Sequence, residues 1–139
     1  MYDPWADLKS RPGIVFNMAS LPTGDAWWLP GIQAIAVNRG LSRIERRCAL
    51  AHELAHVDLG DVHMDGRAGR RNEDEADQLA ARRLITIEEL AAVIFADDYQ
   101  TAADALDVSE HILRVRMKHL HPAERGALKR ARSMREETA

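Results

Sequence analysis

The stretch that decides the fold is residues 42–60, SRIERRCALAHELAHVDLG. Ser42 followed three residues later by Glu45 is typical of a capping box, in which each side chain accepts a hydrogen bond from an otherwise unpaired backbone N–H. Gly60 is a residue that commonly ends a helix. After Arg47 apolar residues fall on nearly every side of this helix, which is typical of a helix buried in a core. The stretch therefore predicts one long, buried helix that includes Cys48.

Two histidines on this helix form a candidate metal site with the glutamate beside them. His52 and His56 are four residues apart, so both imidazoles leave the same face and can occupy neighbouring corners of a zinc tetrahedron. Glu53 is offset by about 100° on the helix, beside the metal, where it can take a proton from water. The H-E-x-x-H pattern is that of metallopeptidases. It also arises by chance on exposed helices, but burying these groups without a partner costs several kcal/mol, which favours a metal.

The third ligand is expected on the next helix, because a catalytic zinc has three protein ligands and one open position. Glu73 and Asp77 share a stripe with Ala80, whose small side chain allows close packing on the His52 helix. We therefore predict Glu73 as the third ligand, with Glu75 on the opposite side as the alternative. Asp77, one turn further, is the predicted hydrogen-bond acceptor for a ligand histidine.

The rest of the chain predicts an α+β fold in which a small N-terminal β-sheet packs on the H-E-x-x-H helix, a minimal zincin-like arrangement. Strand-like runs occupy residues 13–16, 27–29 and 32–37, and a loop is expected at 61–71. Helices are predicted at 72–84, 86–96, 101–106 and 109–120, with a last helix from Pro122 running into a frayed basic tail. The expected division is a metallopeptidase core at 1–98, a helix-turn-helix-like segment at 99–122 and a basic helix or tail at 123–139.

Composition narrows the class of protein. The 139 residues suit one domain, and a formal charge of −3 argues against a protein that coats nucleic acid. One cysteine excludes an intramolecular disulfide, and neither a signal peptide nor a membrane span is recognisable. We therefore expect a cytoplasmic protein without a membrane partner, and the sequence indicates no oligomeric state.

The motifs together resemble one known family. RRCALAHELAH at 46–56, NEDEADQLAA at 72–81, LDVSE at 106–110 and LRVRM at 113–117 are similar to the ImmA/IrrE metallo-endopeptidases, and the match covers about residues 32–122. The resemblance implies a gluzincin-like enzyme of bacteria, phages or mobile elements. It assigns His52, His56 and Glu73 as zinc ligands, Glu53 as general base and Asp77 as the residue supporting a ligand. Gly60 and the Leu84-Ile85-Thr86 sequence depart from the usual family pattern without touching a ligand.

The expected function is zinc-dependent hydrolysis of a specific intracellular protein, and the resemblance makes a helix-turn-helix repressor of a phage or mobile element the leading substrate. The alternative is a metal-binding regulator that docks to a protein or to DNA without hydrolysis. Nucleic acid is not the expected partner, because residues 87–110 contain seven acidic residues and no lysine or arginine. The basic and polar residues of the following helix would be its DNA contacts: His111, Arg114, Arg116, Lys118 and His119.

Two further expectations concern the substrate. By analogy with zincins, an extended peptide would add to an edge strand near residues 32–37. Trp5, Trp27 and Trp28 are expected in the core or at a protected edge, with an aromatic substrate wall as the alternative. The sequence does not identify an oxyanion stabiliser. Four histidines are candidates for that role, although each is more readily explained as a surface or helix-packing residue: His63, His111, His119 and His121.

Overall fold

A three-stranded sheet and seven α-helices make up the fold in the computed structural model, which describes residues 1–138. The strands are β1 (Val15–Ala19), β2 (Ala26–Leu29) and β3 (Ala34–Asn38). The helices are α1 (Pro4–Lys9), α2 (Arg43–Leu59), α3 (Gly66–Leu84), α4 (Ile87–Val93), α5 (Tyr99–Leu106), α6 (Glu110–Lys118) and α7 (Pro122–Thr138). The predicted α+β class is confirmed.

The sheet has the order β1-β3-β2, so β3 is its central strand. It runs parallel to β1, with Phe16 opposite Ile35, and antiparallel to β2, with Trp28 opposite Ile35. The expectation that residues 32–37 form an edge strand is therefore wrong. A nearly continuous apolar run is typical of a strand covered on both faces, and β2 is the edge strand that lies near α2.

Helix α2 lies between two hydrophobic clusters, as the sequence predicts. Its Leu50 and Leu54 pack with Ile35 and Val37 of the sheet. Its opposite side joins a larger cluster with residues of α3 to α7: Ala76, Ala80, Leu90, Leu106, Leu113 and Leu128. The capping box is present, since the Ser42 hydroxyl oxygen accepts from the Glu45 backbone N–H at 3.2 Å.

The main differences from the sequence prediction are one additional helix and the bounds of two others. Helix α1 was not predicted, although Asp3 caps it and Pro4 fits its first turn. Helix α3 begins at Gly66, six residues before the predicted start at Asn72. The sequence does not reveal these first turns because they face solvent and have no apolar periodicity. Helix α7 continues to Thr138 instead of fraying.

The helix-turn-helix-like segment is formed by α5 and α6, joined by a tight turn. Asp107 in this turn has φ of 60°, and Ser109 caps α6 by accepting from the Ile112 backbone N–H. Helix α6 packs against α3, which places the segment directly beside the helix that carries Glu73. The proposed division into three parts stays a prediction. Within residues 1–138, no helix has the length and apolar character needed to cross a bilayer.

Candidate metal centre

The two histidines of α2 present their ring nitrogens to the same point. His52 and His56 lie one turn apart, their ring centroids are 4.7 Å apart, and the planes are nearly perpendicular. The distance between the two Nε2 atoms is 3.1 Å. The local cause is the four-residue spacing on a continuous helix, which brings both side chains to one face.

Helix α3 adds a carboxylate to this pair. The Glu73 Oε2 atom lies 2.7 Å from His52 Nε2, and its Oε1 atom lies 3.1 Å from His56 Nε2. Donor atoms of the three residues lie within 4.8 Å of one another. Glu75 does not join them and lines a separate surface depression with Arg67, Arg71 and Gln78. The structure thus brings together the predicted set that contains Glu73.

Each imidazole also has a carboxylate of its own at its outer nitrogen, Nδ1. Asp77 Oδ1 lies 2.7 Å from His52 Nδ1, as the helix stripe predicts. Asp61 Oδ2 lies 2.8 Å from His56 Nδ1, an interaction that the sequence analysis missed. The signal was Gly60, whose φ of 70° turns the chain back after α2 and places Asp61 near the helix end.

Asp77 also connects the centre to the C-terminal helices. Its Oδ2 atom lies 2.8 Å from Nε2 of His111, on the first turn of α6. One carboxylate therefore contacts a histidine from α2 and another from α6. Sequence reasoning treated His111 as a surface or packing residue with a possible oxyanion role, and this contact with Asp77 was not foreseen.

The carboxylates of the cluster stabilise positive charge on its two imidazoles. Burial by itself lowers the pKa of His52, but the hydrogen-bonded carboxylates of Asp77 and Glu73 outweigh it and raise the pKa to about 10. Burial lowers the pKa of His56 as well, and Glu73 and Asp61 raise it overall. In return, hydrogen bonds from the two imidazoles hold the pKa of Glu73 far below its usual range.

Glu53 lies beside this cluster and is 6% exposed. Burial raises the pKa of its carboxyl group, while His52, His56 and the Trp28 backbone N–H act in the opposite direction. A desolvated carboxylate is a suitable proton acceptor, since burial raises its affinity for a proton. Access comes from the cleft described next.

An open cleft of about 720 Å³ exposes the cluster to solvent. Glu53, His56 and Glu73 line it, and its walls are β2 on one side and residues 61–65 with the start of α3 on the other. His63 also lines it but is almost fully exposed and pairs with Asp65. The cleft leaves room for a ligand next to the cluster.

The donor set fits a divalent metal ion. Because carboxylates hold both Nδ1 atoms, each histidine can present an Nε2 lone pair toward the cleft side, where Glu73 adds an oxygen. Two imidazoles and one carboxylate are a known catalytic zinc set. Carboxylates bound to the outer nitrogens fix the tautomer and increase the basicity of ligand histidines. Cys48 takes no part, since it is buried and its sulfur accepts from Ser109 N–H.

Comparison with known proteins adds the family context. Residues 10–118 match the family described as Peptidase_M78, IrrE N-terminal-like domain. Among solved structures, a Mycobacterium tuberculosis transcriptional regulator has a similar fold, with a TM-score of 0.68 and 18% sequence identity. The alignment covers 88% of this chain and 42% of that one, so this chain spans less than half of its structural neighbour. No curated protein matches the sequence.

Proposed function

Because the chain belongs to the Peptidase_M78 family with an IrrE N-terminal-like domain, we propose that it is a zinc-dependent endopeptidase of gluzincin type. Family membership confirms the resemblance seen in the motifs and supports a metallopeptidase-type function. The observation that carries the proposal is the convergence of His52, His56 and Glu73 beside a buried Glu53 in an open cleft.

Each residue has a distinct role in the proposed reaction. His52, His56 and Glu73 would hold the metal ion, which when bound polarises a peptide carbonyl and acidifies water. Glu53 accepts a proton from the attacking water and delivers it to the leaving amine as the peptide bond breaks. Asp77 and Asp61 keep the two imidazoles in the orientation that presents Nε2.

Strand β2 provides a binding edge for an extended peptide. The Asn38 backbone N–H donates to the Asp25 carbonyl oxygen at 2.8 Å, so these two residues form a hydrogen-bonded pair next to the β2–β3 ladder. Hydrogen-bonded and non-hydrogen-bonded pairs alternate along an antiparallel ladder. By that alternation, the backbone groups of Ala26 and Trp28 point away from β3. Glu53 and the residues of β2 line the same cleft. A substrate strand added here would lie alongside the proton acceptor.

We further propose that the substrate is a specific intracellular protein, with a phage or mobile-element transcriptional repressor as the first candidate, and that the enzyme acts in the cytoplasm. This part rests on the family resemblance of the motifs. The alternative is a metal-binding regulator that docks to a repressor or DNA without hydrolysis, and it is favoured by the structural neighbour, which is named a transcriptional regulator. Both functions use the metal, but only the enzyme uses Glu53.

The deciding experiment compares wild type with Glu53→Gln, both co-expressed with a candidate repressor and both purified with zinc. The substitution keeps the shape of the side chain and removes the proton acceptor, so we expect cleavage to fall by about 10²–10⁴-fold. Zinc content and circular dichroism should be unchanged. Glu88→Gln, an exposed position on α4 away from the cleft, is the matched control and should cleave like wild type.

The outcomes separate the two functions. Equal loss of repressor with wild type and Glu53→Gln would contradict proteolysis at this site. Equal derepression without any repressor fragments would favour the docking regulator. Less than about half a zinc ion per chain in protein prepared without chelator would contradict both, since each requires a bound metal.

A further inference from the structure

The rim of the cleft carries four exposed apolar side chains among polar ones, above a polar floor. Trp27, Leu29, Val62 and Met64 all line the cleft and remain 36%, 37%, 58% and 48% exposed. Two come from β2 and two from the segment of residues 61–65, so they lie on opposite walls. Apolar side chains gathered around a cleft in this way mark a binding surface more often than scattered exposed residues do.

The wall formed by residues 61–65 is held in place at both ends. At its start, Asp61 contacts His56 Nδ1 at 2.8 Å. At its end, the first turns of α3 approach the backbone so closely that a Cβ on Gly69 would lie 1.9 Å from the Met64 carbonyl oxygen. Only glycine tolerates this approach. The segment is therefore fixed between α2 and α3, with Val62 and Met64 lining the cleft.

The opposite wall is formed by β2, whose four residues all line the cleft. Side chains of a strand alternate between faces, and here Ala26 and Trp28 pack against the core around α2. Trp27 and Leu29 are the exposed alternates. A strand with one solvated face ordinarily carries polar residues on it. Two large apolar residues at this position instead indicate a face that contacts something apolar.

We propose that this rim makes the cleft selective for peptides with a bulky apolar side chain, such as Leu, Met or Phe, within two residues of the scissile bond. The proposal rests on the proposed endopeptidase function and adds the substrate class. Charge disfavours an acidic side chain at the same position. Outside the candidate metal centre the lining carries Asp65 and Asp74, against Arg70 alone among the arginines and lysines.

The test measures binding separately from cleavage. Zinc-loaded Glu53→Gln is titrated with fluorescent ten-residue peptides that differ at one scanned position, carrying Leu, Met, Phe, Ser or Asp there. At the best position we expect the apolar peptides to bind about tenfold or more tightly than the Ser peptide, because burial of such a side chain has an effect of that size. Asp should bind most weakly. Equal affinity of the Leu and Ser peptides, or no binding at all, would overturn the proposal.

A variant pair connects the preference to the rim. The double substitution Val62→Thr and Met64→Gln preserves size while making one wall polar, and it should reduce the Leu-over-Ser preference at least threefold. Met134→Gln, at an exposed methionine on α7 outside the cleft, is the matched control and should keep the full preference. An unchanged preference in the double variant would refute the assignment to this wall.

Failure of the enzyme proposal would look different from failure of this inference. If apolar peptides bind with the expected preference but wild-type protein cuts none of them, the rim is supported and hydrolysis is contradicted. If wild-type protein cuts peptides in a Glu53-dependent way with equal kcat/KM for Leu and Ser, hydrolysis stands and the apolar selectivity is wrong.

Discussion

The polar side chains of the metal centre and those of the C-terminal helices differ in where their partners come from. In the centre, the inward-facing Nε2 atoms of His52 and His56 contact only each other and the carboxylate of Glu73, at the edge of an open cleft. In the C-terminal helices, Arg116 is 3% exposed and its guanidinium donates to the Ile85 carbonyl oxygen at 2.8 Å and to Glu124. The histidine nitrogens can therefore bind an external ligand, whereas the guanidinium of Arg116 already has its hydrogen-bond partners within the protein.

The same contrast explains the helix-turn-helix-like segment. Its second helix has the basic and polar composition of a DNA-reading helix, but three of those side chains have internal contacts. Arg116 joins α6 to α7, His111 contacts Asp77, and Arg114 stacks over the Tyr99 ring with 4.3 Å from its Cζ atom to the centroid. Residue type alone therefore suggests a function, whereas the partners of a side chain decide between a structural and a binding role.

Removal of the buried guanidinium is the largest test of this comparison. Arg116→Met removes the ion-pair partner of Glu124 and the side-chain donor to the Ile85 carbonyl oxygen, so we expect the free energy of unfolding to fall by about 3 kcal/mol. Urea titration followed by circular dichroism measures it. Arg114→Met, at an exposed position on the same helix, should change stability by less than about 0.5 kcal/mol. Equal effects of the two substitutions would mean that α6 is not held by Arg116.

A carboxylate pair on α3 tests the other half of the comparison. Glu73→Gln removes a predicted ligand, and we expect zinc affinity to fall by more than about 100-fold, beyond the range seen when only a supporting residue is lost. Glu75→Gln, the same substitution on the opposite side of the helix, should leave affinity unchanged. Competition with a chromogenic chelator measures both. A larger effect at Glu75 would reverse the assignment of the third donor.

The parts predicted correctly from sequence are those determined by local pattern. The Ser42 capping box, the Gly60 terminus and the apolar residues between them define α2 and its burial, and the His52–His56 spacing follows from helical geometry alone. Glu73 was distinguished from Glu75 because helix periodicity places one of them on the packed side of α3. These features depend on neighbours a few residues apart.

The parts that sequence reasoning missed depend on contacts across the fold. The strand order is the first of these parts. Nothing in the sequence of β2 marks it as an edge strand, because that position follows from the pairing of β3 with both other strands. The start of α3 is another, because Gly69 looks like a loop residue until its close approach to Met64 is known. Asp61 also looked like loop, although its carboxylate holds His56. Each is fixed by a tertiary contact that no local pattern encodes.

Asp77 tests the junction between the two regions, because it contacts His52 on one side and His111 on the other. Asp77→Ala should weaken zinc binding by about 10–100-fold, as the loss of a carboxylate behind a ligand histidine commonly does. Asp61→Ala, behind His56, should act in the same range. His111→Ala should have a smaller effect, since it removes only the outer partner. Zinc affinities of the three variants, compared under one condition, rank these roles, and a greater effect for His111→Ala would place α6 inside the metal centre.

The smallest expected effect is the pH dependence of the Arg116–Glu124 pair. Arg116 lowers the pKa of Glu124 from its ordinary 4.5 to about 2 in the folded protein. Because the folded-state pKa is depressed, the pair contributes its full stability above pH 4.5 and loses it as the pH falls toward about 2. Glu124→Gln should therefore show a shallower fall in the free energy of unfolding than wild type across this interval. In an Arg116→Met background the same substitution should leave the slope unchanged, since the charge that shifts the pKa is gone. A slope difference that persists in this background would assign the pH dependence to other contacts of Glu124. It would also weaken the contrast between the C-terminal helices, whose polar groups pair within the protein, and the candidate metal centre, whose histidine nitrogens can bind a ligand.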